Sequence, residues 1–183
     1  GHAILENQKA LDIAGIDFNT NLPGGTIMRK DGRLTGILID TPINLIIKSL
    51  PRPTNTDKVK ALIAAQNKCF EYGLTTVDDA GLSKNDILLI DSLQQSKIID
   101  MRIYAMISNN KDDVNYFIKK GVYKTEKLNV RSVKVYADGA LGSRGAVLKE
   151  PYSDDVKNKG KYITSFESID SLALKLSLTD FQM

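Results

Sequence analysis

Lys134 is the residue whose setting asks most for chemistry. It lies in Val133-Lys134-Val135-Tyr136-Ala137-Asp138, a run of β-formers that breaks into Gly139-Ala140-Leu141-Gly142-Ser143-Arg144. Strand alternation places Val133, Val135 and Ala137 on one face and Ser132, Lys134, Tyr136 and Asp138 on the other. An interior ammonium is costly unless it is paired or loses its proton. A neutral lysine amine can take up carbon dioxide as a carbamate, which turns a cation into a carboxylate-like ligand able to bridge metal ions. The plainer reading is a salt-bridged lysine, or one whose head reaches a rim. Asp138 could hold metal, bind substrate or cap the turn that follows. Arg144 could clamp an anionic group with its guanidinium fork, or be a solvated arginine on a tight loop. Asp78 and Asp79 end an earlier β-prone run. They could ligate metal or act as acid and base, or serve as caps and ion-pair partners. His2 is the single histidine, and alone it makes no metal site.

Such residues need strands to carry them. Residues 57–137 alternate helix and strand three times: a helix from Asp57 to Tyr72 capped by Thr56 and ended by Gly73, a strand over 74–78, a helix over 85–97, a strand over 101–107, a helix capped by Asp112 and ended by Gly121, and a strand from Val130 to Ala137. A last helix is expected over 166–178, with Thr164 and Glu167 at capping-box spacing. This order implies an α/β fold with a parallel sheet and right-handed crossovers. A doubly wound sheet and a (β/α)8 barrel both fit. No glycine-rich phosphate fingerprint follows any strand, which argues against a nucleotide site. Active sites in either fold form at the carboxyl ends of the strands, where Lys134 and Asp138 stand. Ahead of the alternation come a short helix over 4–14, a β-hairpin around Asp31-Gly32, a helix over 42–50 and a boundary at Pro51-Arg52-Pro53. The chain thus divides into residues 1–56, with the hairpin insertion and linker, and residues 57–183.

Composition narrows the function classes. Of 183 residues, 42% are hydrophobic, enough for a buried core. The net charge of +3 comes from both signs spread along the chain, so no nucleic-acid stripe is implied. No apolar run is long enough for a membrane span. Cys69 is the single cysteine and falls in the amphipathic pattern of the first long helix, so it reads as packing rather than as a nucleophile. A reducing, cytoplasmic compartment is favoured. The abrupt ends, Gly1-His2 and Asp180–Met183, read as those of a piece of a longer chain.

Four segments resemble the amidohydrolase superfamily, and within it amidohydrolase family 3, which includes N-substituted formamide deformylase. They are GHAILENQKALDIAGI at 1–16, PGGTIMRKDGRLTGIL at 23–38, LTTVDDAG at 74–81 and VKVYADGALGSRGAVLKEPYSDD at 133–155. The resemblance implies a partial (β/α)8 TIM barrel covering about strands 2 to 4, with flanking helices and a small hairpin insertion. It implies a metal-dependent hydrolase of carbon–nitrogen bonds, of amide or formamide type, acting on a small-molecule substrate with one or two divalent ions, zinc being the metal expected. Lys134 matches the strand-four metal ligand, carboxylated in many relatives. His2, Asp138 and Arg144 match the substrate side of the pocket. The His-x-His pair, the later histidines and the strand-eight aspartate of the superfamily have no match within these residues, so the chain is expected to be inactive in isolation. Exposed strand edges would then invite pairing with a second copy. A non-catalytic α/β binding or interaction domain is the alternative.

Overall fold

The computed structural model describes residues 3–183; His2 lies outside them. The chain forms two compact units, Gly1–Thr54 and Asn55–Met183.

The first unit holds three antiparallel strands in the order β1-β3-β2: β1 (Ala3–Leu5), β2 (Gly25–Lys30) and β3 (Arg33–Asp40). The β2–β3 turn is the expected Asp31-Gly32. Both residues have positive φ, 50° and 72°, as a tight hairpin of this kind requires. The expected helix over 4–14 is shorter than anticipated. Ile4 and Leu5 pair with Leu38 and Ile37 of β3, and helix α1 (Gln8–Ile13) begins after Asn7, whose side chain accepts from the Ala10 N–H. Helix α2 (Ile43–Ser49) completes the unit. Leu11, Ile16, Ile27, Leu38, Ile43 and Ile46 form its core.

The second unit carries the strand–helix alternation. Helix α3 (Asn55–Glu71) leads into β4 (Thr76–Leu82), α4 (Lys84–Gln95), β5 (Arg102–Ser108), α5 (Lys111–Lys120), a two-residue strand β6 (Tyr123–Lys124), β7 (Leu128–Lys134) and α6 (Phe166–Ser177). β4, β5 and β7 are parallel and adjacent in sequence order. Gln182 continues the order. It bridges Ser132 in parallel, donates its N–H to the Arg131 carbonyl and accepts from the Val133 N–H. β6 runs antiparallel against the lower half of β7 and was not foreseen.

One face of this sheet meets the helices of its own unit. Ile103, Ala105, Ile107, Leu128, Val130 and Val133 pack with Ile87 and Ile90 of α4, Val114 and Phe117 of α5 and Leu176 of α6 in a single core. Val59, Leu62, Ile63 and Cys69 of α3 join its margin, so Cys69 packs as expected. The other face carries Asp78, Ala80, Tyr104, Met106, Ser108, Asn129, Ser132 and Lys134, aligned by the strand register.

Several boundaries differ from expectation, each for a local reason. Thr56 lies inside α3, which starts at Asn55. β4 runs on to Leu82 because Asp79 and Ala80 keep pairing with β5. Asn110, not Asp112, caps α5; its Oδ1 accepts from the N–H groups of Asp112 and Asp113. Ser165, not Thr164, caps α6, while the Thr164 hydroxyl donates to the Tyr136 carbonyl. β7 ends at Lys134, three residues before the expected Ala137.

Candidate functional site

Lys134 is the last residue of β7 and sits beside Ser108, the last residue of β5. Both lie on the sheet face away from the helices, at the carboxyl ends of parallel strands. Lys134 is half-buried, and its Nζ stands 4.9 Å from the centre of the Tyr136 ring. No ion pair to Lys134 occurs among the described residues. The lysine borders an open crevice of about 530 Å³ with Tyr104, Met106, Ser132, Ile169 and Gln182. Tyr104 donates its hydroxyl to Gln182 Oε1 at 2.7 Å. Ser132 is buried beneath them, and its Oγ has no hydrogen-bond partner.

Strand alternation does not carry on to Asp138, because β7 stops at Lys134. The half-buried Asp138 instead turns into the loop that follows, where Oδ2 accepts from the Val147 N–H at 2.8 Å. Arg144 is exposed and has φ of 57°. Its fork is engaged by one carboxylate: Nε donates to Asp154 Oδ1 at 3.0 Å and Nη2 to Asp154 Oδ2 at 2.7 Å. The hydrogen bond from Arg144 lowers the Asp154 pKa from its ordinary value, against an opposing effect of burial. Asn158 donates to the Arg144 carbonyl and Tyr152 to the Ala146 carbonyl, so the loop is built around this pair. Gly160 is required there: a Cβ would fall 2.0 Å from the Ala146 oxygen, and its φ is +82°.

The structure does not bring Lys134 and Asp78 together. Asp78 pairs with Tyr104 and Lys134 with Ser108, four residues farther along β5. At about 3.3 Å per residue that is roughly 13 Å along the sheet, too far to share one ion. Asp79 points to the helix side, where burial first and the nearby Asp86 charge second raise its pKa. Asp86 itself is lowered overall. Burial raises it, but hydrogen bonds from Lys58 and Ser83 together outweigh that. These are helix-end interactions: Ser83 caps α4, and Lys58 reaches Asp86 from α3 at 2.6 Å.

Three residues here had no sign in the sequence pattern around Lys134, and Ser132 takes the face that alternation gave it. Tyr104 follows from alternation once β5 is placed beside β7. Gln182 becomes visible only when Phe181–Met183 is seen to pair with β7. Asp154 left one faint signal, a Ser153-Asp154-Asp155 acidic pair ten residues beyond Arg144. His2 lies outside the described residues.

Comparison with known proteins adds the lineage. The amidohydrolase family profile matches residues 1–178. A Bacillus subtilis (strain 168) protein, YtcJ, named as an amidohydrolase, is 33% identical over 183 residues, covering 95% of this chain and 34% of its own length. The Arabidopsis thaliana protein LONG AFTER FAR-RED 3 is 28% identical over 197 residues, covering all of this chain and 34% of itself. The chain thus spans about a third of the length of these relatives. Crystal structures of uncharacterized metal-dependent hydrolases from Pyrococcus furiosus and Pyrococcus horikoshii OT3 superpose with TM-scores of 0.73 and 0.72 at 20% and 21% identity. They cover 98% and 97% of this chain, and 37% and 35% of their own. At that identity they speak for the fold, a mixed α/β arrangement of parallel sheet and helices. With the profile spanning nearly every residue and YtcJ a third identical, the chain belongs to the amidohydrolase family.

Proposed function

We propose that this chain is one section of a metal-dependent hydrolase of carbon–nitrogen bonds, of the amide or formamide type, whose active site it furnishes only in part. The observation that carries the reading is the order of the sheet. β4, β5, β7 and the Gln182 segment are parallel neighbours, with the helices of their unit, α3 to α6, on one face. A doubly wound sheet reverses its order and places helices on both faces. Parallel strands that run on in one direction with their helices on one face support an arc of a (β/α)8 barrel, with the bare face as its interior. Lys134 then points inward at the carboxyl end, where such barrels keep their chemistry.

The donors present do not complete a metal site. Among the described residues no group of three or more His, Cys, Asp or Glu side chains could hold an ion. Lys134 is a single donor, and only as a carbamate: its neutral amine would bond to the carbon of carbon dioxide and release one proton. A divalent ion, zinc in this reading, would polarise the scissile carbonyl and activate water when held by the whole enzyme. This chain's own part is to fix Lys134 on β7. His2, Asp138 and Arg144 are assigned to the substrate side on resemblance. For Asp138 and Arg144, the bonds to Val147 and Asp154 favour building the loop over direct substrate contact.

Zinc titration and an amide- and formamide-hydrolysis assay on the 183-residue chain test the reading. The expected result is weak, substoichiometric zinc binding and no turnover. Tight zinc binding with clear zinc-dependent amidase activity would overturn it.

A further inference from the structure

We infer that the interior of the second unit binds one water molecule between Asp91 and Gln94, on the helix side of the sheet and apart from the Lys134 crevice. Both residues lie on α4. Asp91 is 9% exposed and Gln94 7%. Their spacing puts them on one face of the helix. Two bonds set the orientation of the Gln94 amide. Its Nε2 donates to the Met101 carbonyl at 2.8 Å and to the Lys127 carbonyl at 3.1 Å. Turned over, the amide would set its oxygen against both of those carbonyl oxygens. Asp91 is fixed in the same way. Its Oδ2 accepts from the Tyr123 hydroxyl at 2.8 Å and from Gln95 Nε2 at 3.0 Å. What remains is one oxygen of each, Asp91 Oδ1 and Gln94 Oε1. Both are buried, and neither has a hydrogen-bond partner among the described residues.

Two orphaned acceptors on one helix face call for a ligand that donates twice. Buried polar atoms in native interiors find their partners in protein or in ordered water. A water molecule brings two protons, one for each oxygen, and needs few polar partners to stay. Burial leaves no opening for a metabolite. A hard cation such as calcium asks for about six oxygens or more, and these two fall short of that. The Asp91 charge also has its balance nearby. Lys120 Nζ stands 3.9 Å from the centre of the Tyr123 ring, and that ring's hydroxyl is the one Asp91 holds. A neutral donor therefore suffices. The site ties α4 to β6, to Lys127 and to the residue before β5. β7 starts directly after Lys127 and carries Lys134 at its far end, so the water completes a polar clamp at the entry of that strand. The inference stands independently of the hydrolase reading.

A crystal structure of the longest reading frame containing these residues, grown with rubidium as the only alkali cation, tests it. The expected result is one water peak without anomalous signal, about 2.5–3.0 Å from both Asp91 Oδ1 and Gln94 Oε1. Gln94→Met keeps the bulk of the side chain and removes Oε1, so the same peak should be lost in its structure. A rubidium anomalous peak at the site would make the ligand a cation and overturn the inference. So would wild-type density with no peak there, or Asp91 Oδ1 in direct contact with Gln94 Oε1 through a shared proton. A water that persists unmoved in Gln94→Met would overturn the assignment of Gln94 as its partner.

Discussion

Arg144 and Asp154 show how one residue can be read two ways until its partner is known. A guanidinium fork after Gly142-Ser143 suits a substrate carboxylate, and in the fold it already grips a carboxylate of its own chain. The Arg144 bond depresses the Asp154 pKa from its usual 3.8. A depressed acid adds stability above its unfolded value and loses it as the pH falls through the folded one. The 139–160 loop should therefore hold firm above about pH 3.8 and loosen below it, seen as faster amide exchange at Gly145 and Asn158. Asp154→Asn should give the loosened exchange already at neutral pH and flatten that pH dependence. Unchanged exchange in the variant would show that the pair does not hold the loop. Lys134 stood out in the sequence as the one lysine in a run of β-formers that ends in a small-residue loop. Asp138 lies beyond the last ladder bond of β7, so strand alternation alone does not place it. The partner of Arg144 was hidden because nothing local marks a contact ten residues away across an irregular loop.

At the scale of elements, periodicity located nearly every helix and strand, and side-chain hydrogen bonds moved their ends. Asx and serine caps compete over two or three positions with almost equal propensity, and tertiary contacts decide between them. Ser165 wins over Thr164 because the Thr164 hydroxyl is drawn to Tyr136. Ser165→Ala should then cost about 1 kcal/mol in urea unfolding, the usual value of a cap. Thr164→Ala should leave α6 intact by circular dichroism. The reverse ranking would restore the capping box read from the sequence. β6 escaped notice because two residues are too few to show a period, and Ile4 and Leu5 looked helical because their β partner lies more than thirty residues away.

For the whole molecule, alternation alone left two α/β architectures open. The barrel arc is proposed from a non-local fact, that β4, β5 and β7 are parallel neighbours with the helices of their unit on one side. That arrangement leaves a polar strand face bare and puts Lys134 at its carboxyl end. Among the described residues no helix is long and apolar enough to cross a membrane. The family profile spans residues 1–178, and the relatives are about three times longer than this chain. The central claim is that Lys134 is a metal ligand on that face. Metal content and amide or formamide turnover, measured on the longest reading frame containing these residues with Lys134 intact and as Lys134→Ala, test it most directly. The substitution is expected to lower metal occupancy and to cut turnover by about 100-fold or more, since loss of an outer-shell partner alone costs about 10- to 100-fold. Full metal content and full turnover in Lys134→Ala would contradict it.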